Sequence, residues 1–443
     1  MKRLSAAVLA LAALIATPLA KASAQPNEPA RLVFQVATML ACAEKVIQCQ
    51  VLDVSREELS SDLIYYRALI KVGSGDSDVI ALNHVVLERR RGVQARTVGS
   101  LFFIHGSAGQ FRMLLVVPHG GNGLAVFLGK HNIDMWGIDL RNVQIPADAV
   151  QLPNAHDWNL GLQINDVRLG TRIARWVRAL TGQGIDRIIL GGHSAGATVG
   201  FAVVNAEATV PKLQRDIAGF IPMDMVYKLP SWATDQIQTS CARATASKSA
   251  NDAGTYLSSN LATIAMAKLA QSDPNGVSPS NPSLTNQQYM LKTASALQFW
   301  PAYPFHRWAV VSDESGVPSE GTYTTTKDIA DMLASSPPYP IPNAFIADMF
   351  AVSCPTMDTP YDDNLGEVKV PVLYVGQAGG FGAFGEYALD LLGSGDVTKL
   401  MIQFRPETDA THDWGHMEAY SAEQAQQLIW EPMLKWIVDH QPH

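Results

Sequence analysis

A serine between two glycines lies near the middle of the chain, in the sequence Gly-His-Ser-Ala-Gly at residues 192–196. A short apolar run, Ile188–Leu190, precedes it, and small residues dominate the stretch 197–206 that follows. This order predicts a buried strand, a sharp turn and a helix packed closely against a sheet. Such a turn exposes the serine hydroxyl, and its glycines permit a backbone crowding that a Cβ atom would block. Ser194 is therefore a candidate nucleophile.

In this context the pentapeptide resembles the nucleophile turn of the α/β-hydrolase superfamily. The resemblance covers about residues 98–227 and 369–440. It implies a mainly parallel, doubly wound sheet. It also implies a catalytic acid and a catalytic histidine that follow the serine in that order along the chain.

Two histidines follow the last predicted strand, in the sequence His-Asp-Trp-Gly-His at residues 412–416. A nucleophilic serine needs a base, and this segment resembles the histidine loop of the superfamily. His416 is the preferred base because it directly precedes a predicted helix, and His412 is the alternative. The segment lacks the glutamate of a His-Glu-x-x-His zinc motif, and Gly415 weakens the helix that this motif requires. We therefore expect no metal site.

The carboxylate partner of the histidine departs from the common pattern. Most relatives carry it after the strand that corresponds to residues 370–375, but here a glycine-rich sequence without a carboxylate follows at 376–382. Asp224 ends the predicted strand 217–223, which is the acid position in some branches of the superfamily. Glu386 begins the predicted helix after the glycines, where the helix dipole also favours an acidic side chain. Asp224 is the preferred acid and Glu386 the alternative.

Another predicted strand ends in the sequence His-Gly-Ser at residues 105–107, about ninety residues before the serine. It resembles the first oxyanion loop of the superfamily. The resemblance implies that the backbone N–H groups of Ser107 (or Gly106) and Ala195 bind the negative charge that develops on the substrate.

The glycines at 380, 382 and 385 also fit the Gly-x-Gly-x-x-Gly turn of dinucleotide-binding proteins. Only about sixty residues follow them, which is too few for a nucleotide-binding half, and no acidic residue ends the next strand. We therefore expect no nucleotide, and the serine chemistry that the resemblance implies needs no cofactor.

The elements that would position these residues alternate between buried strands and amphipathic helices. This alternation predicts a mainly parallel sheet covered on both faces. A helix at 160–180 shows apolar residues at helical spacing. The predicted strands are 98–105, 133–139, 185–190, 217–223, 370–375 and 399–404.

Pattern changes divide the rest of the chain. Residues 25–95 contain alternating apolar stretches and predict an N-terminal β extension of the sheet. The α/β-hydrolase domain would comprise residues 96–227 and 369–443. The insertion at 228–368 is rich in Pro, Ser, Asn and aromatic residues, which predicts a packed cap, since disordered segments are poor in aromatics. An insertion at this point is where α/β-hydrolases carry a lid.

The first 24 residues have the pattern of a cleaved signal peptide. Lys2 and Arg3 precede an apolar run at 4–20, and Ala-Ser-Ala at 22–24 provides small residues for cleavage. Pro18 interrupts the apolar run and no second run of that length occurs, so we expect no membrane span in the mature protein. An uncleaved anchor or a lipid-modified N-terminus is the alternative. The pattern predicts a secreted or periplasmic protein.

The composition argues against a nucleic-acid partner, and the cysteines argue against a bound metal. The formal net charge is −8, and the basic cluster at residues 89–91 is too short to indicate nucleic-acid binding. Four cysteines in an exported chain predict disulfides rather than metal ligands. Their spacing favours, among three possible connectivities, Cys42 with Cys49 and Cys241 with Cys354.

As the resemblance implies, the expected function is hydrolysis of carboxylic esters through an acyl-enzyme, with Ser194, His416 and Asp224 as the triad. The aromatic residues of the insertion favour an apolar or aromatic ester, either a small molecule or a polymer. The same fold also carries out peptidase and lactonase reactions. A non-catalytic binding protein is a further alternative, since no acid follows residue 375.

Overall fold

The computed structural model describes residues 28–45, 47–299 and 304–442. The predicted signal peptide at 1–24 lies outside the described residues. The main sheet contains strands β1 (Gln50–Glu58), β2 (Leu63–Lys71), β3 (Val79–Arg90), β4 (Val93–Gln94), β5 (Gly99–Ile104), β6 (Ile133–Asp139), β7 (Ile188–His193), β8 (Ile217–Met223), β9 (Val372–Gln377) and β10 (Val397–Ile402).

The helices follow the same numbering in chain order. They are α1 (Glu28–Lys45), α2 (Phe111–Leu115), α3 (Pro118–Gly121), α4 (Leu124–Lys130), α5 (Leu160–Leu180), α6 (Ala195–Ala208), α7 (Thr234–Asp252), α8 (Leu261–Ser272), α9 (Asn286–Ala294), α10 (Thr326–Ala334), α11 (Asn343–Val352), α12 (Glu418–Ser421) and α13 (Glu431–Asp439).

The strand order is β1-β2-β3-β6-β5-β7-β8-β9-β10, with β4 paired to β3. Strands β6, β5, β7, β8, β9 and β10 pair in parallel with their neighbours. Strands β1, β2 and β3 pair antiparallel with one another, and β3 joins β6 antiparallel. The prediction of a mainly parallel sheet is confirmed.

Two hydrophobic cores lie on opposite faces of this sheet. Successive strand residues point to opposite faces, and β5 shows the division directly. Phe102 and Ile104 belong to the core that includes residues of α5 and α6. Leu101 and Phe103 belong to the core that includes residues of α4 and α13. Helices therefore cover both faces, as the doubly wound pattern predicts.

Predicted and observed bounds agree closely in the centre of the chain. Helix α5 and strands β6 and β8 have the predicted bounds, and β5, β9 and β10 differ from prediction by one or two residues at each end. Strand β7 begins and ends three residues later than predicted. It extends because the glycines at 191 and 192 still pair with β5 and β8, which carries the strand up to Ser194.

The N-terminal segment differs from its prediction as a β extension from residue 25. Strands β1, β2 and β3 do extend the sheet, but residues 28–45 form helix α1. Phe34, Ala37 and Ala41 recur at helical spacing and are buried in the core shared with α5. Alanine, leucine, methionine and glutamate favour the helix, which packs its apolar side against α5 and β1.

Residues 228–368 connect β8 to β9 through helices α7–α11 and short two-stranded hairpins. They share both cores of the sheet, since Phe345 packs in the first core and Trp308 in the second. None of the helices in the described part of the chain combines the length and the apolarity of a membrane span.

The structure contains the two disulfides favoured by the cysteine spacing, Cys42–Cys49 and Cys241–Cys354.

We expect the Cys241→Ser, Cys354→Ser double variant to lose more stability than the Cys42→Ser, Cys49→Ser control. The Cys241–Cys354 disulfide joins residues that are 113 positions apart, whereas Cys42–Cys49 joins residues that are 7 positions apart. On the chain-entropy account the losses are about 4–5 and about 2–3 kcal/mol in the free energy of unfolding. Urea denaturation measures both, and equal losses would contradict the expectation.

Candidate active site

Ser194 occupies the sharp turn between β7 and α6. Its backbone has φ 56° and ψ −128°, a conformation that non-glycine residues rarely adopt. Such a strained residue persists only where the surrounding structure stabilises it. A Cβ atom on Gly196 would lie 2.2 Å from the carbonyl oxygen of Ile104, so only glycine fits there. The partly exposed serine thus projects from the carboxyl end of the parallel sheet into a cavity.

His416 lies in the loop before α12 and lines the same cavity as Ser194. The Nδ1 atom of His416 lies 2.6 Å from Oδ2 of Asp224. The Nε2 atom of His193 donates a hydrogen bond to the carbonyl oxygen of His416 at 2.9 Å, and the two rings stack with centroids 4.2 Å apart. The imidazole is buried and its orientation is fixed on the Nδ1 side, which leaves Nε2 as the ring atom for proton transfer.

Asp224 follows β8 directly, with φ 44°, and is fully buried. Its Oδ1 atom accepts three backbone hydrogen bonds, from the N–H groups of Gln377 (3.1 Å), Phe381 (3.0 Å) and Gly382 (3.2 Å). A Cβ atom on Gly380 would lie 2.0 Å from Oδ2 of Asp224. The glycine-rich loop after β9 therefore wraps around a carboxylate that comes from the neighbouring strand instead of carrying one itself.

Burial determines the protonation states of Asp224 and His416. Desolvation raises the pKa of Asp224 to about 6, against the lowering effect of the three backbone N–H groups and of His193. Desolvation lowers the pKa of His416 to about 3, and the positive charges of Arg307 and His306 add to the lowering. At neutral pH the arrangement is an ionised carboxylate beside a neutral imidazole, which is the form that can accept a proton from a hydroxyl group.

The alternative residues lie elsewhere. Glu386 sits in the 3-10 helix Gly382–Leu391, where its Oε2 atom lies 2.7 Å from Nζ of Lys399. His412 is exposed, and its Nδ1 atom lies 2.5 Å from Oδ1 of Asp409. Neither residue lines the cavity that Ser194 and His416 share. The structure places Ser194 and His416 in the lining of one cavity and Asp224 against His416, and it places both alternatives outside the cavity.

The proposed oxyanion donors surround the serine. Gly106, Ser107 and Ala195 line its cavity, and Ala195 begins α6, whose first N–H groups have no partner within the helix. His105 accepts a hydrogen bond from the N–H of Leu140 at Nε2 (3.0 Å) and donates from Nδ1 to the carbonyl oxygen of Gly106 (2.7 Å). This bond holds the peptide between Gly106 and Ser107, and the N–H of a trans peptide points away from its carbonyl. His105 thus orients the Ser107 N–H, a role that the sequence pattern did not reveal.

The cavity has a volume of about 230 Å³. Its wall combines the end of the sheet with the segment 228–368, which contributes Phe305, Arg307 and Trp308. The sequence analysis assigned the aromatic residues of this segment to a cap but missed Arg307, because its approach depends on the fold of the insertion. The lining is mainly apolar, and its large apolar side chains are those of Met113, Leu114, Met225, Phe305, Trp308, Leu333, Phe381 and Met417. In the described part of the chain, no group of three or more His, Cys, Asp and Glu side chains could hold a metal ion.

The fold is similar to that of solved structures with low sequence identity. A candidate lipase from Sulfolobus solfataricus is 16% identical over 88% of this chain and 100% of its own, with a TM-score of 0.58. A monoglyceride lipase from Saccharomyces cerevisiae is 12% identical, covering 90% of this chain and 98% of its own, with a TM-score of 0.41. An esterase from Thermogutta terrifontis is 15% identical, covering 85% and 99%, with a TM-score of 0.42.

No family model matches the sequence, and no curated protein matches it. The similarity to the Sulfolobus structure is one of fold at 16% sequence identity, and the mainly parallel sheet of this chain has a hydrophobic core on each face. This chain therefore has the α/β-hydrolase fold.

Proposed function

We propose that the protein is a serine hydrolase that cleaves carboxylic esters through an acyl-enzyme. The observation that carries this proposal is the 2.6 Å contact between Asp224 Oδ2 and Nδ1 of His416, a residue that lines the same cavity as Ser194. A carboxylate-oriented imidazole beside a serine on a strained turn is the arrangement that activates a hydroxyl for attack on an acyl group. A lipase is an ester hydrolase, so the candidate lipase of the same fold fits this proposal.

In the first half of the reaction, Ser194 Oγ attacks the acyl carbon while its proton passes to His416 Nε2. The oxyanion that forms accepts hydrogen bonds from the N–H groups of Ser107 and Ala195. The ester C–O bond then breaks, and the alcohol leaves with the proton from His416. In the second half a water molecule repeats these steps on the acyl-enzyme, which releases the acid and returns the proton to Ser194.

The alternative of a non-catalytic binding protein depended on the missing acid after residue 375. Asp224 supplies a buried carboxylate from the adjacent strand, and three backbone N–H groups hold it in place. Burial of a carboxylate costs free energy. A buried carboxylate that is held against the imidazole of a cavity-lining histidine therefore indicates a functional site. This favours the enzyme.

The substrate would be an ester with an apolar or aromatic body, because eight methionine, leucine and aromatic side chains line the cavity. We propose that the insertion 228–368 acts as the cap of the site, since Phe305, Trp308 and Leu333 form part of that wall. The two disulfides fit a protein exported to an oxidising compartment, the periplasm or the cell exterior.

The two histidines of the 412–416 segment provide a matched test. We expect His416→Ala to lower kcat/KM for p-nitrophenyl butyrate by about 10³-fold or more, because the base that takes the serine proton is lost. We expect His412→Ala to stay within about twofold of the wild type, since its exposed ion pair with Asp409 contributes little. Steady-state hydrolysis measures both. Equal losses, or an active His416→Ala enzyme, would contradict the proposal.

A further inference from the structure

Arg307 lines the cavity that contains Ser194 and His416. Among the described residues that line this cavity, it is the side chain with a permanent charge, and no aspartate or glutamate is present in the lining. No carboxylate of the described residues lies within 4.0 Å of its guanidinium nitrogens. The site therefore contains a cation for which the described part of the protein provides no counter-ion.

The backbone fixes this arginine beside the catalytic histidine. The carbonyl oxygen of Arg307 accepts a hydrogen bond from the N–H of Met417 at 2.9 Å, and the carbonyl oxygen of His306 accepts one from the N–H of His416 at 2.8 Å. The N–H of His306 also donates to the carbonyl oxygen of Gly379 at 3.1 Å. The backbone of residues 306 and 307 is thus hydrogen-bonded to the loop that carries His416. These bonds fix the backbone of Arg307 in the cavity wall.

An unpaired cation at this position is unfavourable in two ways. Burial among apolar side chains such as Phe305 and Trp308 removes solvation from the guanidinium, and burial lowers the pKa of Arg307 accordingly. The charge of Arg307 also lowers the pKa of His416, so it opposes the imidazolium that must form when Ser194 attacks. With a neutral ester in the cavity, the charge of Arg307 would continue to oppose the imidazolium of His416.

An anion on the substrate reverses both effects. It would supply the missing counter-ion, and by cancelling the charge of Arg307 it would restore the basicity of His416 in the complex. A guanidinium presents a planar set of donors that matches a carboxylate with two parallel hydrogen bonds. One cation in the lining corresponds to one negative charge, which favours a monocarboxylate over a phosphate dianion.

We propose that Arg307 binds a carboxylate of the substrate, so that the preferred substrates are esters with an apolar chain that ends in a carboxylate, such as monoesters of dicarboxylic acids. This inference rests on the proposed ester hydrolysis and specifies its substrate class. Arg307 is then a specificity-determining residue of the site.

The test compares esters that differ only in this charge. The monomethyl esters of the dicarboxylic acids from succinate to suberate are each assayed beside the methyl ester in which a methyl group replaces the carboxylate. The enzymes are the wild type, Arg307→Gln, Arg307→Lys, and the control Arg90→Gln, which removes an exposed charge of β3 outside the cavity.

At the best chain length, we expect the wild type to prefer the carboxylate ester. We expect Arg307→Gln to lose about 10–100-fold in kcat/KM on the carboxylate ester and to keep or gain activity on the neutral one. Arg307→Lys should fall between, because it keeps the charge without the paired donors. Arg90→Gln should match the wild type. An unchanged preference in Arg307→Gln at every length, or an equal loss on both esters, would overturn the inference.

A binding measurement separates this inference from the proposed function. If the wild type hydrolyses neither series, the proposed ester hydrolysis fails, and calorimetry of adipate binding to the Ser194→Ala protein still tests Arg307. Binding that is lost when Arg307→Gln is added to Ser194→Ala supports the carboxylate site. Equal binding with and without Arg307, or no binding to either protein, overturns it.

Discussion

Replacement of Ser194 by alanine is expected to lower kcat/KM for ester hydrolysis by about 10⁴–10⁶-fold. The variant loses the atom that forms the acyl-enzyme, while the neighbouring oxyanion donors and the cavity stay in place. Residual hydrolysis by water would depend on those donors alone. The measurement is steady-state turnover of p-nitrophenyl butyrate, with circular dichroism to show that the variant keeps the overall secondary structure of the wild type.

The matched control is Ser107→Ala. The proposed role of Ser107 belongs to its backbone N–H, which alanine retains, so we expect a loss of less than about fivefold. A Ser194→Ala enzyme with substantial turnover would show that another group carries the reaction. A Ser107→Ala enzyme as inactive as Ser194→Ala would show that the Ser107 hydroxyl takes part in the chemistry.

The second large effect is expected for Asp224→Asn, with a loss of about 10³–10⁴-fold in kcat. The three backbone N–H groups from residues 377, 381 and 382 would hold the amide oxygen where Oδ1 now lies. The amide NH₂ would then face Nδ1 of His416 and donate to it. That bond requires the other imidazole tautomer, which carries its proton on Nε2 and cannot accept one from Ser194.

The control for this variant is Glu386→Gln. It breaks the contact with Lys399 outside the cavity, and we expect turnover within about twofold of the wild type. Turnover lost in Glu386→Gln and retained in Asp224→Asn would show that the acid has been misassigned.

The same carboxylate sets the acid side of the pH profile. Because burial raises the pKa of Asp224 to about 6, the neutral-imidazole, ionised-carboxylate pair is lost as the pH falls through that value. We therefore expect kcat/KM to be constant above about pH 7 and to fall about tenfold per unit well below pH 6. In Asp224→Asn this limb should disappear, leaving a low activity that is flat across the same range. An unchanged limb in the variant would assign the titration to another group.

The position of Ser194 on a sharp turn between a strand and a helix could be predicted from the sequence because its signals are local. An apolar strand, two glycines and a helix of small residues lie within twenty positions, and the crowding at Gly196 explains why that spacing is required. The parallel sheet was predictable for a similar reason, since each strand carries its own apolar run between amphipathic helices.

The acid was harder because its assignment depends on contacts between distant segments. Asp224 and His416 are 192 positions apart in the chain, and N–H groups from the end of β9 and from the loop after it must come together around the Asp224 carboxylate before its role can be recognised. Both Asp224 and Glu386 were therefore compatible with the pattern. Only the position of Oδ2 beside the imidazole separates them.

Helix α1 and Arg307 show two other limits of sequence reasoning. The buried side of α1 becomes meaningful only against α5, which begins more than a hundred residues later. Arg307 lies in an aromatic-rich insertion with no regular period, and its approach to His416 results from the backbone bonds of residues 306 and 307 to the histidine loop. The sequence shows an arginine among aromatic residues at this point, but the pattern alone does not place it beside His416.

The most direct test of the proposed serine chemistry is the intact mass of the purified protein after treatment with a fluorophosphonate probe. The wild type and Ser194→Ala are compared, since the probe forms a stable bond only with an activated serine. If Ser194 is the activated nucleophile, we expect one adduct on the wild type and none on the variant. No adduct on a folded wild-type protein, or an adduct that persists in Ser194→Ala, would contradict the assignment of Ser194 as the nucleophile.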